Sequence, residues 1–548
     1  MKRLFLLLAT LLGLCACTEL QRESPMPRLE KRGEATQLIV DDKPYLILGG
    51  ELWNSTASSP AYMEREGIWD RLQATGLNTV LLPVYWELIE PEEGVFDFSM
   101  LDEAIAEARR RDMRLVLLWF GSWKNSMSCY APGWMKRQFG TTYPLVKNRE
   151  GRTLEILSPF AEVNCEQDKR AFVTLMTHLK ATDAERTVVM VQVENEIGML
   201  QSARDYSEAA NEAYHEAVPQ EVVDYLKERG EACRPPLYEA WRGQGCPEAG
   251  DWEALFGAGL DTEEFFMAYH FARYVEQIAR AGKEVYPLPM YVNAALNSRG
   301  RKAGEYPSAG PLSHLWDLWH LAAPSIDFLA PDIYDPLFPE WVAQYDLPQN
   351  PLFIPEIKHE PCPENGARVF YAVGRHKALG FSPYAIDDVT PDVPRYALKE
   401  AYAVLRAIAP EVLSAQTAGR IYGVWFDKAH TEQVVRIGDI ELCCRHDLTL
   451  GWSAEAAHPE LWSETAALIV ELGAGEFLVA GTGVVLTLRS YREDDTIVGI
   501  ERIEELDYHD AGLPVLRRLN GDGDHQGRHL RIPFGQYGVQ RLVCYTYR

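Results

Sequence analysis

Between Tyr45 and Ile386 one pattern recurs eight times: a short apolar run rich in β-branched or aromatic residues, then a longer connection. The runs are Tyr45–Gly50, Thr79–Val84, Arg114–Phe120, Val188–Glu194, Leu288–Asn293, Ile326–Pro331, Leu352–Glu356 and Phe381–Ile386. Runs of this length, apolar on both faces, belong in a buried parallel sheet. Leu101–Arg111, Lys169–Leu179, Phe265–Ala281 and Pro394–Ile408 read as helices, and in the first of them Ile105 and Ala108 share a face opposite the charges. Eight β/α units predict a (β/α)8 TIM barrel over residues 37–416 rather than an open sheet.

Two segments break the repeat. Residues 199–262 are too long for a simple connection and hold helical stretches at Val222–Arg229 and Trp252–Phe256. Inserted after the fourth strand, they belong at the C-terminal mouth of a barrel, where insertions shape access. From residue 417 to 548 the runs Arg420–Trp425, Gln433–Ile437, Glu476–Ala480, Gly483–Leu488 and Arg541–Tyr547 are strand-like and separated by Gly and Asp. They predict a β-rich, sandwich-like C-terminal domain. Its Tyr422, Trp425, Trp452 and Trp462 are spaced like core residues, so it is expected to brace the barrel rather than bind carbohydrate.

The first residues read as an export signal. Lys2 and Arg3 precede the apolar run Leu4–Leu14, which is too short to span a bilayer. Leu14-Cys15-Ala16-Cys17 resembles a lipobox with Cys17 as the acylated residue; an ordinary signal peptide cut nearby is the alternative. Residues 1–16 would then be removed and 17–36 would form a polar tether, which places the chain in the periplasm or on an outer membrane. That anchor is the one membrane contact expected.

The 548 residues are 47% hydrophobic and 11% aromatic, enough for a large packed core. With 80 acidic against 54 basic residues the formal charge is −26, or −26 − 2 = −28 without the leader. Such a field repels phosphate backbones and argues against nucleic acid; it suits a neutral or basic small substrate or an uncharged polymer. Past Cys17 there are eight cysteines, with no C-x-x-C and no H-E-x-x-H, so neither a metal nor a cofactor is expected and disulfide pairing stays open.

The chemistry concentrates where runs end. Val191-Gln192-Val193-Glu194-Asn195-Glu196 closes the fourth run with polar residues that would be costly to bury without a task. Phe353-Ile354-Pro355-Glu356 closes the seventh in the same way. Strand C-termini face a barrel's active site, so Glu196 and Glu356 can flank a glycosidic bond. Tyr334, just past the sixth run, is placed to donate a hydrogen bond to the acid that must stay ionised; an aromatic at the rim is the alternative. Glu51 and Trp53 after the first run, Trp86 and Glu87 after the second, and Trp123, Lys124 and Asn125 after the third complete a polar-aromatic cup suited to sugar. Glu90–Phe98 reads as a structural turn.

Gln192–Gly198, Trp86 with Glu90-Pro91, the Glu356 strand, Asn78–Phe98, Leu288–Asn293 and Gly304–Pro311 together resemble the clan of retaining glycosidases with glutamates on strands four and seven. Within it they resemble glycoside hydrolase family 35, the β-galactosidases, and an exported bacterial subgroup with an added β domain. The resemblance spans roughly residues 37–415. It implies Glu196 as acid/base, Glu356 as nucleophile, Asn195 as partner of the sugar 2-hydroxyl, Asn293 as a sugar-binding position and Glu194 in support. The implied reaction is removal of terminal β-galactose by double displacement, and the subgroup suggests plant polysaccharides such as xyloglucan side chains. Pro83, Trp123-Lys124-Asn125 and Ile357-Lys358-His359 depart from the family pattern. Another retaining exo-glycosidase on the same site, or a non-catalytic glycan-binding lipoprotein, are the competing readings.

Overall fold

The computed structural model describes residues 24–358, 362–388, 397–492, 494–521 and 527–548. The export segment with Cys17, and also His359 and Pro394, lie outside these residues. Among the described residues no helix is long and apolar enough to cross a membrane.

Eight parallel strands close into a barrel: β1 (Ile47–Glu51), β2 (Thr79–Tyr85), β3 (Arg114–Lys124), β4 (Val188–Asn195), β5 (Met290–Ala295), β6 (Phe328–Ile333), β7 (Ile354–Ile357) and β8 (Gly380–Pro383). Every residue of β2 and β4 is buried, because one face fills the barrel while the other packs under helices. The helices Ser99–Arg110, Glu162–Thr182 and Leu260–Val285 stand at three of the expected stretches, and Ala397–Ala407 is the described part of the fourth.

β3 runs past its expected end. From the pair Trp119↔Val193 to the pair Lys124↔Asn195, β3 advances five residues while β4 advances two. The surplus bulges at the rim of the barrel, a place where bulges commonly re-aim side chains.

The tether expectation is corrected in part. Arg28–Arg32 and Ala35–Val40 pair as a hairpin, extended by Lys43–Tyr45. At its turn Gly33 has φ +54°, and a Cβ there would lie 2.2 Å from the Thr417 carbonyl. Glycine thus seats the hairpin on the end of the helix Ala409–Ala418. Gln37 reinforces the seat by donating to the Leu413 carbonyl at 2.8 Å.

After β4 come helices Glu208–His215, Gln220–Arg229, Pro235–Gly243 and Trp252–Phe256. Buried Asp317 docks this insertion by accepting from the Tyr225 hydroxyl (2.8 Å) and the Arg234 amide (2.6 Å).

The C-terminal part is strand-rich. The two runs expected at Glu476–Ala480 and Gly483–Leu488 are one strand, Glu476–Ser490, bent where Gly483 takes φ +63° and the pairing register slips. Its first half pairs with Thr465–Gly473 and its second with Ile440–His446, so the sheet folds over a core of its own. Side-chain alternation along Thr465–Gly473 is the reason both faces are used: Ala467 and Ile469 enter that core, whereas Ala466, Leu468 and Val470 join the barrel core. The helix Asn365–Arg375 lies on the barrel-facing side, and a Cβ at its Gly374 would stand 2.7 Å from Leu468. Trp452 is corrected from a core position: it is 58% exposed, its ring lying under Arg531.

Candidate active site

At the C-terminal ends of the strands, one oxygen from each of Glu196, Asp332 and Glu356 lies within 4.8 Å of the others. Each of the three residues is at most 6% exposed. Glu356 ends the apolar run of β7, and Glu196 follows β4 directly. β4 ends in strained backbone, with φ +63° at Glu194 and +45° at Glu196, and the adjacent β3 loop adds Asn125 at +51° and Ser126 at +59°. Non-glycine residues hold such conformations only where surrounding bonds over-determine them, and they cluster at functional sites.

Here the surrounding bonds can be named. Asn293 Oδ1 accepts from the Glu196 amide at 3.0 Å, and the NH2 of the same side chain donates to Asp332 at 2.6 Å. Asn125 donates to Glu196 Oε2 at 2.5 Å, and its own amide donates to the Asn195 carbonyl at 3.2 Å. Gly310 permits the 304–311 segment to lie against this turn, since a Cβ there would stand 2.1 Å from the Ile197 carbonyl. Glu194 turns behind the pocket, where its Oε2 accepts from the Trp123 amide at 2.7 Å. Asp168 holds the same bulge, accepting from the Ser122 hydroxyl (2.6 Å) and from Trp119 (2.9 Å).

One cation enters the cluster. Buried Lys124 donates to Asn195 Oδ1 at 2.8 Å, which leaves the Asn195 NH2 buried and without a partner. Tyr334 donates to Glu356 Oε1 from the opposite side.

Burial, then the charge of Glu196, pushes the Glu356 carboxyl up to about 7 against the opposing pull of Lys124, Tyr334 and Glu51. Glu51 is driven well above the carboxylate range by burial and then by Glu356. Asp332 is raised by burial, Glu356 and Glu196. Burial and the Glu356 charge raise the Tyr334 phenol, so it remains a donor.

The structure therefore gathers Glu51, Lys124, Asn125, Asn195, Glu196, Asn293, Tyr334 and Glu356. Trp53 stands at the rim, 41% exposed, its ring edge-on to Tyr384 at 5.1 Å. Three sequence expectations are corrected. Trp86 is fully buried, donating to Glu90 at 2.8 Å and packed between Trp119 and Trp134, so it supports the floor and offers no sugar platform. Trp123 is likewise buried, against Phe271 and Tyr274, with its indole on the Leu157 carbonyl. Glu87 pairs with Lys136 at 3.1 Å on a neighbouring loop. Asp332 was missed, although it closes an apolar run as Glu356 does.

Carboxyls whose oxygens lie within 4.8 Å of each other, as those of Glu196 and Glu356 do, suit nucleophile and acid/base roles, which need about 5–5.5 Å, better than inverting geometry, which needs about 6.5–9.5 Å. The carboxylates of Glu196, Asp332 and Glu356 could also offer oxygen ligands to a cation. The donors turned on them (Asn125, Asn293, Tyr334) and the ammonium of Lys124 fit that role poorly.

Parts of the chain are similar to known proteins. Residues 63–236 match the glycoside hydrolase 42 family model, described as beta-galactosidase, and residues 398–531 match a domain of unknown function, DUF5597. A beta-galactosidase of Xanthomonas manihotis is 28% identical over 174 residues, 30% of this chain and 26% of its own length. The chain thus aligns with about a quarter of that curated relative. Among solved structures, beta-galactosidase from the psychrophilic Marinomonas ef1 aligns at 15% identity and TM-score 0.44, covering 68% of this chain and 60% of its own. Beta-galactosidase from Bacillus circulans sp. alkalophilus aligns at 12% identity and TM-score 0.46, covering 91% and 99%.

Proposed function

We propose that this chain is an exported, retaining exo-β-galactosidase that removes terminal β-linked galactose from oligo- or polysaccharides by double displacement. The observation that carries the reading is the close approach of the buried Glu196 and Glu356 carboxyls, which offer oxygens within 4.8 Å of each other. The beta-galactosidase family model over residues 63–236 supports the sugar. That model is family 42, so the narrower resemblance to family 35 rests on the sequence motifs alone. Xyloglucan side chains as natural substrate belong to the same proposal and rest on the resemblance to the family 35 subgroup alone, while lipid attachment at Cys17 rests on the lipobox-like sequence.

In the first step Glu196 gives its proton to the glycosidic oxygen while Glu356 attacks the anomeric carbon, so the C–O bond to the leaving group breaks and an ester to Glu356 forms. In the second, Glu196 takes a proton from water, the water oxygen attacks the same carbon, and Glu356 leaves as a carboxylate. Tyr334 and Lys124 favour charge on Glu356, as a nucleophile requires. In this reading the Asn195 NH2, buried without a partner, serves as donor to the sugar 2-hydroxyl.

A panel of aryl glycosides tests the sugar, because the wrong epimer at C4 should lose orders of magnitude in kcat/KM. Glu356→Gln should abolish turnover of the aryl β-galactoside with the fold intact. Glu356→Gly with azide should yield the α-galactosyl azide. Full activity in Glu356→Gln would falsify the assignment.

A further inference from the structure

Glu51 ends β1 and is 1% exposed, yet its Oε1 has no hydrogen-bond partner. Its neighbour Glu356 shows the same deficit: Oε1 takes the Tyr334 hydroxyl, and Oε2 is buried without a partner. The two carboxyl groups lie within hydrogen-bonding reach of each other. Two carboxylates in that contact would repel, and each orphaned oxygen would carry its full desolvation cost. A single proton removes both problems.

The surroundings decide which group carries it. Facing Glu51 are Lys124 from β3, Glu196 after β4, Tyr291 from β5, Asp332 and Tyr334 at the end of β6, Glu356 from β7 and Tyr384 after β8. That is one cation among three other carboxyls. Glu196 has Asn125, Asp332 has Asn293 and Glu356 has Tyr334 as donors, while no donor is turned on Glu51 Oε1. The proton therefore belongs on Glu51.

We propose that Glu51 is a neutral carboxylic acid at working pH that donates its proton in a hydrogen bond to Oε2 of Glu356, acting as a positioning residue for the nucleophile. The inference deepens the reading of Glu356 as nucleophile and rests on it. Glu51 keeps its proton throughout the cycle. Its hydrogen bond stabilises Glu356 as a carboxylate before attack and again as it departs, and with Tyr334 it fixes the plane of the attacking group. Ionised Glu51 would instead place a second negative charge on the nucleophile.

Infrared difference spectra of the full chain at pH 7, wild type against Glu51→Gln, read the protonation directly. A protonated-carboxyl stretch lost in Glu51→Gln supports the proposal, and loss of a carboxylate band alone overturns it. This readout needs no turnover, so it stands even where wild type fails to hydrolyse every aryl glycoside, a result that would end the functional reading instead. Kinetics supply the positioning readout. Glu51→Gln, whose amide still donates, should keep the acid limb of kcat/KM where wild type has it and lose no more than about tenfold in rate. Glu51→Ala should move that limb upward by about one pH unit and lose about 10²-fold, the scale on which a fixed donor acts on developing charge. Equal displacement of the limb in both variants, at unchanged melting temperature, overturns the donor role.

Discussion

Lys124 Nζ donates to Asn195 Oδ1 at 2.8 Å, joining the bulged end of β3 to the end of β4 at the register pair that follows the bulge. The bond fixes which way the Asn195 amide faces, and the ammonium offsets part of the negative charge gathered around Glu356. Lys124→Met keeps the stem and removes the charge. It should lower kcat/KM by about 10²-fold and raise the acid limb of the pH profile, because the charge that pulled Glu356 down is gone. An unmoved limb, measured by steady-state kinetics across pH, would show that Lys124 serves packing alone.

The raised Glu356 carboxyl carries a stability consequence whose sign is fixed. Its folded pKa, about 7, stands above the ordinary carboxylate value of 4.5, so the folded state binds more protons than the unfolded between those values. Stability from this group is therefore present below about pH 4.5 and lost as pH rises toward 7. Glu356→Gln cannot ionise and escapes the loss. Its melting temperature should exceed that of wild type at pH 8, by a free energy on the order of 3 kcal/mol, and the gap should close toward pH 4.5. A gap that widens on acidification would contradict the account.

Trp86 is a test of support against contact. Fully buried, with its indole on Glu90, it should cost about 2–4 kcal/mol as Trp86→Phe through lost packing and an unpaired Glu90 oxygen. KM for an aryl galactoside should stay near wild type in the folded protein. A large rise in KM at unchanged melting temperature would restore Trp86 to the sugar site.

The C-terminal sheet should be inseparable from the barrel. Arg368 on the helix Asn365–Arg375 is 5% exposed and paired with Glu464, which also accepts from Trp425 at 2.9 Å. Glu464→Ala leaves the Arg368 charge buried and should destabilise by about 3–5 kcal/mol. Chemical denaturation with paired probes in barrel and sheet should show one coincident transition, and two separated transitions would mean independent units.

Much of this arrangement was legible in the sequence, and for identifiable reasons. Strands buried on both faces write themselves as unbroken apolar runs, so all eight barrel strands stood out, and polar residues closing such runs drew attention to Glu196 and Glu356. Asp332 carried the same signal beneath a neighbouring tyrosine and went unread. Trp86 and Trp123 were misplaced because residue type at a strand end does not say which way a side chain turns. Trp123 lies inside the β3 bulge, where the period-two alternation that would orient it is broken. The bend in Glu476–Ser490 was read as a strand boundary because glycines commonly punctuate strands. Which polar residues take up the site's protons was invisible, since it depends on contacts between seven strand ends brought together by closure.

The most direct test of the central claim is to trap the intermediate with a 2-deoxy-2-fluoro-β-galactoside bearing a good leaving group, then to map the labelled peptide by mass spectrometry. The account predicts one fluorogalactosyl group per chain, carried on Glu356 and absent from Glu356→Gln. A label on Glu51 or Glu196, or hydrolysis of aryl β-galactoside giving α-galactose as first product, would contradict it.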